Sequence, residues 1–332
     1  MNKSSIFVTA ITSFFVILIF SAFTPSETPA ADKWAAGVTI RFFAGGDPGD
    51  AFASIVYKGA KAAEADLGPK VEYVFSGWNM QRLLNSFREA IAVKPDGIAF
   101  MGHPGNDAVM PLAEEASKAG ILMMYQNVDV PKVRARFGGG YVGAILEPQG
   151  RALAQQAITT LGLKKGDRAL VITNWGLPGR FIREGAVADA FTEAGLIVDK
   201  MQSVDGQMAN PNLLTAPLTA AFLRNPDTKV IVYNGGQVLG AAEIYMKAIG
   251  KKPGEIYNIG FDTSAAVIDA FKKGYVQLTS DQQPFLQGYV PILSLCLSKK
   301  YGFGPMFLDT GHGLVNQKNY QVIADLATAG YR

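Results

Sequence analysis

From Gly37 onward, short apolar runs rich in β-branched and aromatic residues alternate with stretches whose apolar residues recur at helical spacing. Val38–Phe43 (VTIRFF) reads as a strand, and Phe52, Ile55, Val56, Gly59, Ala62 and Ala63 then lie on one helical face until Gly68 stops the pattern. Val71–Phe75, a helix through 80–93, Gly97–Met101, a helix through 107–118 and Ile121–Tyr125 continue the alternation. Strand, helix and strand at this cadence require right-handed crossovers and a parallel sheet covered by helices.

The alternation breaks at 131–143 (PKVRARFGGGYVG) and then restarts. Ala169–Thr173, a helix near 183–194, Val230–Tyr233, a helix near 237–249, Tyr257–Phe261, a helix near 264–273 and Val276–Thr279 form a second set. The expected fold is therefore α/β, with two doubly wound parallel-sheet lobes and the glycine-rich break as a flexible crossover between them. A length of 332 residues fits two domains.

The N-terminus carries a different signal. Lys3 precedes the uncharged run Ile6–Phe23, which is followed by Pro25, Glu27, Pro29 and Ala30-Ala31. Residues 1–31 read as a secretory signal peptide cleaved near Ala30 or Ala31, which would export the mature chain. An uncleaved anchor helix is the alternative, because 18 residues nearly span a bilayer. The sole cysteine, Cys296, sits in an apolar run and reads as core; no lipid-modified cysteine can follow the leader. The formal net charge of +3 comes from interspersed charges without a Lys/Arg cluster, so no nucleic-acid partner is expected.

Ligands of open parallel sheets bind beyond the carboxyl ends of the strands. Just past the strands stand Asp47, Asp50 and Phe52, then His103, then Gln126, Asn127 and Asp129. The second half supplies Asn174, Trp175, Arg180, Arg183, Asn234, Asp262, Asp281 and Gln282. Carboxylates, amides and guanidinium groups offer paired donors and acceptors, and aromatic faces stack on C–H surfaces, which is the mixture a polyhydroxylated ligand needs. Any one of these Asn or Asp residues could equally be a helix cap or turn former, so the weight lies in their convergence from both halves.

Other chemistries find little footing. Gly138, Gly140 and Gly143 match G-x-G-x-x-G formally, but the preceding Pro131–Phe137 is basic and not strand-like. The glycines of Ala44–Gly49 could cradle a phosphate, yet Asp47 and Asp50 would repel it, so a neutral ligand is expected. His103 and His312 have no metal-ligand spacing, and no cofactor is expected. Asp50 with Asp262 could form a glycosidase pair on paper, but their amide and arginine neighbours suit hydrogen bonding rather than proton donation.

Several stretches, in order, carry a resemblance over nearly the whole mature chain: GDAFASIVYKG (49–59), KPDGIAF (94–100), AGILMMYQN (119–127), Asn225–Asp227 before Val230–Asn234, IGFDTS (259–264) and QLTSDQQPFLQG (277–288). The sequence resembles the ribose- and galactose-type periplasmic substrate-binding proteins of ABC sugar importers. The resemblance implies two lobes joined by three crossovers, near 139–143, 282–284 and 309–313. The lobes would comprise 32–140 plus 284–310 and 141–283 plus 311–332. It places the sugar contacts on Asp50, Phe52, Asn127, Asn234, Asp262 and Gln282, with Arg180 or Arg183 as the ligand arginine. His103 stands near the position where ribose binders use an asparagine, and Trp175 or Tyr233 would have to supply a second ring beside Phe52. Pro284 would stiffen a crossover, Phe285–Tyr289 would begin a helix, and Gln283 and Gln287 read as structural.

The implied protein is a non-enzymatic, monomeric receptor that delivers a monosaccharide or polyol to a membrane permease, with a chemoreceptor as a further partner. The alternatives are a secreted sugar-acting enzyme and a receptor for a nucleoside or another non-sugar signal. A sugar-responsive repressor would need a DNA-binding segment where the apolar leader stands.

Overall fold

The computed structural model describes residues 33–176 and 181–332. The signal-peptide reading of residues 1–31 and the candidate Arg180 lie outside the described residues. Along the chain the strands are β1 (Thr39–Gly45), β2 (Lys70–Phe75), β3 (Gly97–Met101), β4 (Leu122–Gln126), β5 (Gly140–Gly143), β6 (Arg168–Thr173), β7 (Ile197–Gln202), β8 (Thr228–Tyr233), β9 (Tyr257–Phe261), β10 (Leu278–Asp281), β11 (Phe307–Asp309) and β12 (Gly313–Asn316).

They form two six-stranded sheets among the described residues, in the orders β11-β5-β4-β3-β1-β2 and β12-β10-β9-β8-β6-β7. The orders correspond position by position, so β4 of the first sheet matches β9 of the second. Every neighbouring pair is parallel except β10–β12, which is antiparallel.

Burial on both faces explains the near-continuous apolar strands. Successive side chains point to opposite faces of a strand, so Phe42 enters the core beneath helices Ala51–Leu67 and Pro284–Tyr301. Its neighbour Phe43 enters the opposite core with Phe87 and Phe100. The second sheet divides likewise, with Leu170 and Ile172 on one side and Ala169 and Val171 on the other. Helix Ala51–Leu67 starts where the Asp50 carboxylate accepts the Ala53 N–H at 2.8 Å and ends at left-handed Gly68.

Two glycines fix the tightest helix crossing. A Cβ on Gly59 would strike the Phe285 carbonyl, and one on Gly288 would strike the Val56 carbonyl. Helices Ala51–Leu67 and Pro284–Tyr301 thus meet backbone to backbone, carrying the late helix onto the first lobe.

The stretch 131–143 departs from expectation. Pro131–Phe137 is a helix, with Pro131 at its start and Arg134 donating twice to Asp129 at 2.7 and 2.8 Å. Gly140–Gly143 is the strand β5, paired between β4 and β11. A Cβ on Gly140 would meet the Met306 carbonyl, so this glycine serves close strand approach rather than flexibility. The first crossing therefore falls at Ala144–Ile145, and Tyr141–Gly143 belong to the first sheet.

The other two passages between the sheets lie at Gln282–Gln283, between β10 and helix Pro284–Tyr301, and at Thr310–His312, between β11 and β12. Hydrogen bonds lace the three together. Asp309 Oδ1 accepts from the Ile145 N–H at 3.1 Å and the Gly311 N–H at 2.9 Å. Gln283 Nε2 donates to the Thr310 carbonyl at 3.0 Å.

Candidate functional site

The carboxyl ends of both sheets face a cleft of about 880 Å³. Its floor is a chain of amides and one carboxylate. Asn127, the first residue past β4, donates through Nδ2 to Gln282 Oε1 at 3.2 Å and Gln287 Oε1 at 3.1 Å. Gln282 donates in turn to Asp262 Oδ1 at 2.5 Å, and Asp262 is the first residue past β9. Gln287 also donates to the Gln282 carbonyl at 2.8 Å and to Thr310 Oγ1 at 3.2 Å, so it holds the floor against the third crossing.

Backbone strain concentrates here. Five non-glycine residues have positive φ among the described residues, and four stand at the cleft or its hinge: Trp78 at 58°, Asn127 at 64°, Asp262 at 71° and Gln283 at 52°. Asn and Asp tolerate this region best, and strain retained at such positions marks functional sites. The Asn127 geometry is held by its N–H to the Val142 carbonyl at 3.2 Å and by Tyr141 Oη donating to its carbonyl at 3.0 Å. Asp262 is fixed by its N–H to Ser280 O at 2.8 Å and by Thr279 Oγ1 donating to its carbonyl at 2.7 Å.

The first-lobe wall is aromatic. Phe52 and Trp78 lie 6.0 Å apart between ring centres, and the His103 ring is 5.3 Å from Trp78. Asp50 joins this wall to the opposite lobe. Its Oδ2 accepts from the Trp78 indole at 3.2 Å and, across the cleft, from Gln237 Nε2 at 3.4 Å.

On the second-lobe wall, the Arg183 guanidinium lies 3.8 Å over the Phe261 ring. It donates to the Asn234 carbonyl at 3.0 Å and to Glu184 Oε1 at 3.0 Å. Glu184 is buried and also accepts from Thr173 Oγ1 at 3.2 Å. The arginine is thus neutralised and its fork pinned, an arrangement for directional donation rather than for capture of an anion.

Of the sequence candidates, Asp50, Phe52, His103, Asn127, Arg183, Asn234, Asp262 and Gln282 all line this cleft. Trp175 does not. Its indole donates to the Val171 carbonyl at 3.3 Å, and its ring packs against Phe181 and beneath Lys200. Tyr233 is fully buried, donating to Asn258 Oδ1 at 3.0 Å. The aromatic side chain that lines the cleft beside Phe52 is instead Trp78, which lies past the edge strand β2 on a loop that folds back over Gly45. Its position after a strand end, within SGWN, was the available signal. Gln237 and Glu184 lacked even that, since both sit inside helices. No group of three or more His, Cys, Asp or Glu side chains able to hold a metal occurs among the described residues.

Two doubly wound lobes, laced by three crossings and closing on a polar, aromatic-walled cleft, define the architecture of a hinged two-lobe binding protein. The chain belongs to the periplasmic binding protein domain family, whose model matches residues 42–297. A curated relative, the xylose/arabinose-binding protein XylF of Sulfolobus acidocaldarius, is 25% identical over 262 residues, covering 72% of this chain. The chain spans only 61% of that relative's length. Among solved structures, a carbohydrate transporter from Acidothermus cellulolyticus in complex with myo-inositol shares the fold at a TM-score of 0.76 and 24% identity, covering 89% of this chain and 99% of that one. A solute-binding protein from Agrobacterium vitis with bound D-fucose matches at 0.75 and 20%, covering 88% and 100%.

Proposed function

We propose that this protein is an exported receptor that captures a monosaccharide or polyol in the interlobe cleft and presents it to the permease of an ABC transporter. The observation that carries the reading is the floor Asn127–Gln282–Asp262, built from both lobes beneath the Phe52–Trp78 wall. Asp50, Asn127, Arg183, Asp262 and Gln282 offer directional donors and acceptors for ring hydroxyls, and the aromatic pair offers a face for the C–H surface. The ligands for which the relatives are named, pentoses in one and an inositol in another, belong to the same chemical class.

A ligand touching both walls favours the closed lobes by its differential contacts, and closure presents both rims together to a permease. The chain acts as a monomer without catalysis, after cleavage near Ala30 or Ala31, and its closed form is the one a chemoreceptor would read.

A thermal-shift screen of pentoses, hexoses and polyols tests the reading. A hundredfold excess over Kd should add about 2.7 kcal/mol of stability, and the sugar should be recovered chemically unchanged. A screen without a single stabilising sugar, or turnover of the bound one, would overturn it.

A further inference from the structure

Arg183 and Glu184 are sequence neighbours in the first turn of helix Ile182–Glu193, yet their side chains pair at 2.9 Å. Consecutive side chains on a helix do not face each other, so other groups must hold this pair together. The tips of three neighbouring strands do so. Thr173, the last residue of β6, donates through Oγ1 to Glu184 Oε2 at 3.2 Å. Asn234, the first residue past β8, offers its carbonyl to Arg183 Nη2 at 3.0 Å, and Phe261, the last of β9, carries the guanidinium on its ring.

The support is fixed in its turn. Asn234, expected as a sugar contact, is engaged at both ends of its amide: Oδ1 accepts from Gln207 Nε2 at 3.0 Å, and Nδ2 donates to Ser203 Oγ at 3.1 Å. A Cβ on Gly150 would strike the Arg183 carbonyl, so helix Leu146–Leu161 packs against the same turn and keeps it in place.

This pair carries more charge than its packing needs. Glu184 is only 2% exposed, and a buried carboxylate is costly even when the helix N-terminus and a partner offset part of the cost. A glutamine could meet both partners, accepting from Arg183 and donating to Thr173, without that cost. The effect of the charge falls instead on the cleft. Asp47, Asp50, Glu184, Asp205 and Asp262 line it, while Arg183 is the single Lys or Arg among the described lining residues. An unoccupied guanidinium fork is a ready partner for a carboxylate. Glu184 Oε1 already accepts from Nε and Nη2 of that fork, at 3.0 and 2.9 Å. Nη1, which makes no hydrogen bond among the described residues, is left to donate to a hydroxyl.

Resting on the receptor reading above, we propose that Glu184 is the specificity-determining residue that confines the cleft to uncharged sugars and excludes the corresponding sugar acids. It is a positioning residue, acting through Arg183: it occupies the fork an acid would need and adds to the negative lining that repels one. Discrimination comes from this repulsive element as much as from contacts to the preferred ligand.

Isothermal titration of the purified protein with the neutral sugar that stabilises it most, and with xylonate, arabinonate, glucuronate and galacturonate, tests this. The wild-type protein should bind the neutral sugar on the order of a hundredfold or more tighter than any of the acids. Glu184→Gln should move the two in opposite directions. The neutral sugar weakens as the fork loses its hold, and at least one acid tightens on the order of tenfold or more. A packing lesion lowers both affinities, so the opposite signs separate charge from structure. The methyl ester of that acid should show no gain, and Arg183→Ala added to Glu184→Gln should remove it. A wild-type protein that binds an acid within about tenfold of the neutral sugar overturns the proposal. So does a gain that survives Arg183→Ala, or the lack of any tightened acid in both Glu184→Gln and Glu184→Met. Neutral-sugar binding by the wild type leaves the receptor reading standing in each of these cases. Failure of every neutral sugar and polyol removes that reading itself.

Discussion

Asn127 and Asp262 occupy the same place in the two lobes. Each is the first residue past the third strand of its sheet, each holds a left-handed backbone, and the Gln282 amide joins the two. The cleft floor is thus built on a relation between lobes, with one side chain from the second crossing as its link.

Removing that link has a defined cost. Gln282→Ala leaves Asp262 without its 2.5 Å donor and Asn127 without one of its two acceptors. Sugar affinity should fall by about 1–3 kcal/mol, read as an increase in Kd by titration calorimetry. Unchanged affinity would place the ligand elsewhere.

Binding should be visible through one indole. The chain has three tryptophans, and only Trp78 lines the cleft; Trp34 stacks on Tyr301, and Trp175 packs beneath Lys200. Sugar binding should change the intrinsic fluorescence. Trp78→Phe should erase that change and weaken binding by roughly 0.5–1.5 kcal/mol, whereas Trp175→Phe should retain it.

The buried Asp281 gives stability a pH signature. Burial pushes its carboxyl above the ordinary 3.8, while the Gln283 N–H and Arg332, 2.9 Å away, oppose part of that rise. The folded state holds this proton more tightly than the unfolded chain, so the contribution is full below the ordinary value and is lost as pH rises through the raised one. Above it the ionised group depends on Arg332. Arg332→Ala should cost little near about pH 4 and about 1–3 kcal/mol near neutrality, measured by urea unfolding at both pH values. Asp281→Asn should abolish the difference.

The backbone contact between the first and the late helix leaves no room for a methyl group. Gly288→Ala or Gly59→Ala should lower unfolding stability by about 1–3 kcal/mol or more through overpacking, while Gly304→Ala, whose Cβ would meet nothing within 4 Å, should be neutral. Equal melting temperatures for the three variants would contradict the crossing geometry.

The alternation of strands and helices was legible because burial on both sheet faces writes long apolar runs, such as GIAFM of β3. The helix Pro131–Phe137 was not, because a single buried residue, Val133, gives it no periodic stripe and its start rests on the Arg134–Asp129 pair. That residues past central strands, Asn127 and Asp262 among them, would line the cleft was legible because the position past a strand is itself a signal. Trp78 was missed because β2 is an edge strand and its loop reaches the cleft only by folding back. Asn234 was placed at the cleft for the same reason, but the commitment of its amide to Gln207 and Ser203 depends on a segment with no sequence motif. Trp175 follows a strand as well, yet its indole bonds back to Val171 of that same strand, a local choice that spacing does not reveal.

The first sheet borrows its outer strand β11 and its covering helix Pro284–Tyr301 from the far end of the chain. Nothing in the first 280 residues can close that lobe, because Val290, Ile292 and Leu295 complete its core. Closure across so great a sequence distance is slow. A translocation pore passes unfolded chain, and under the export proposed for this protein that face of the first lobe would stay incomplete until almost all residues had emerged.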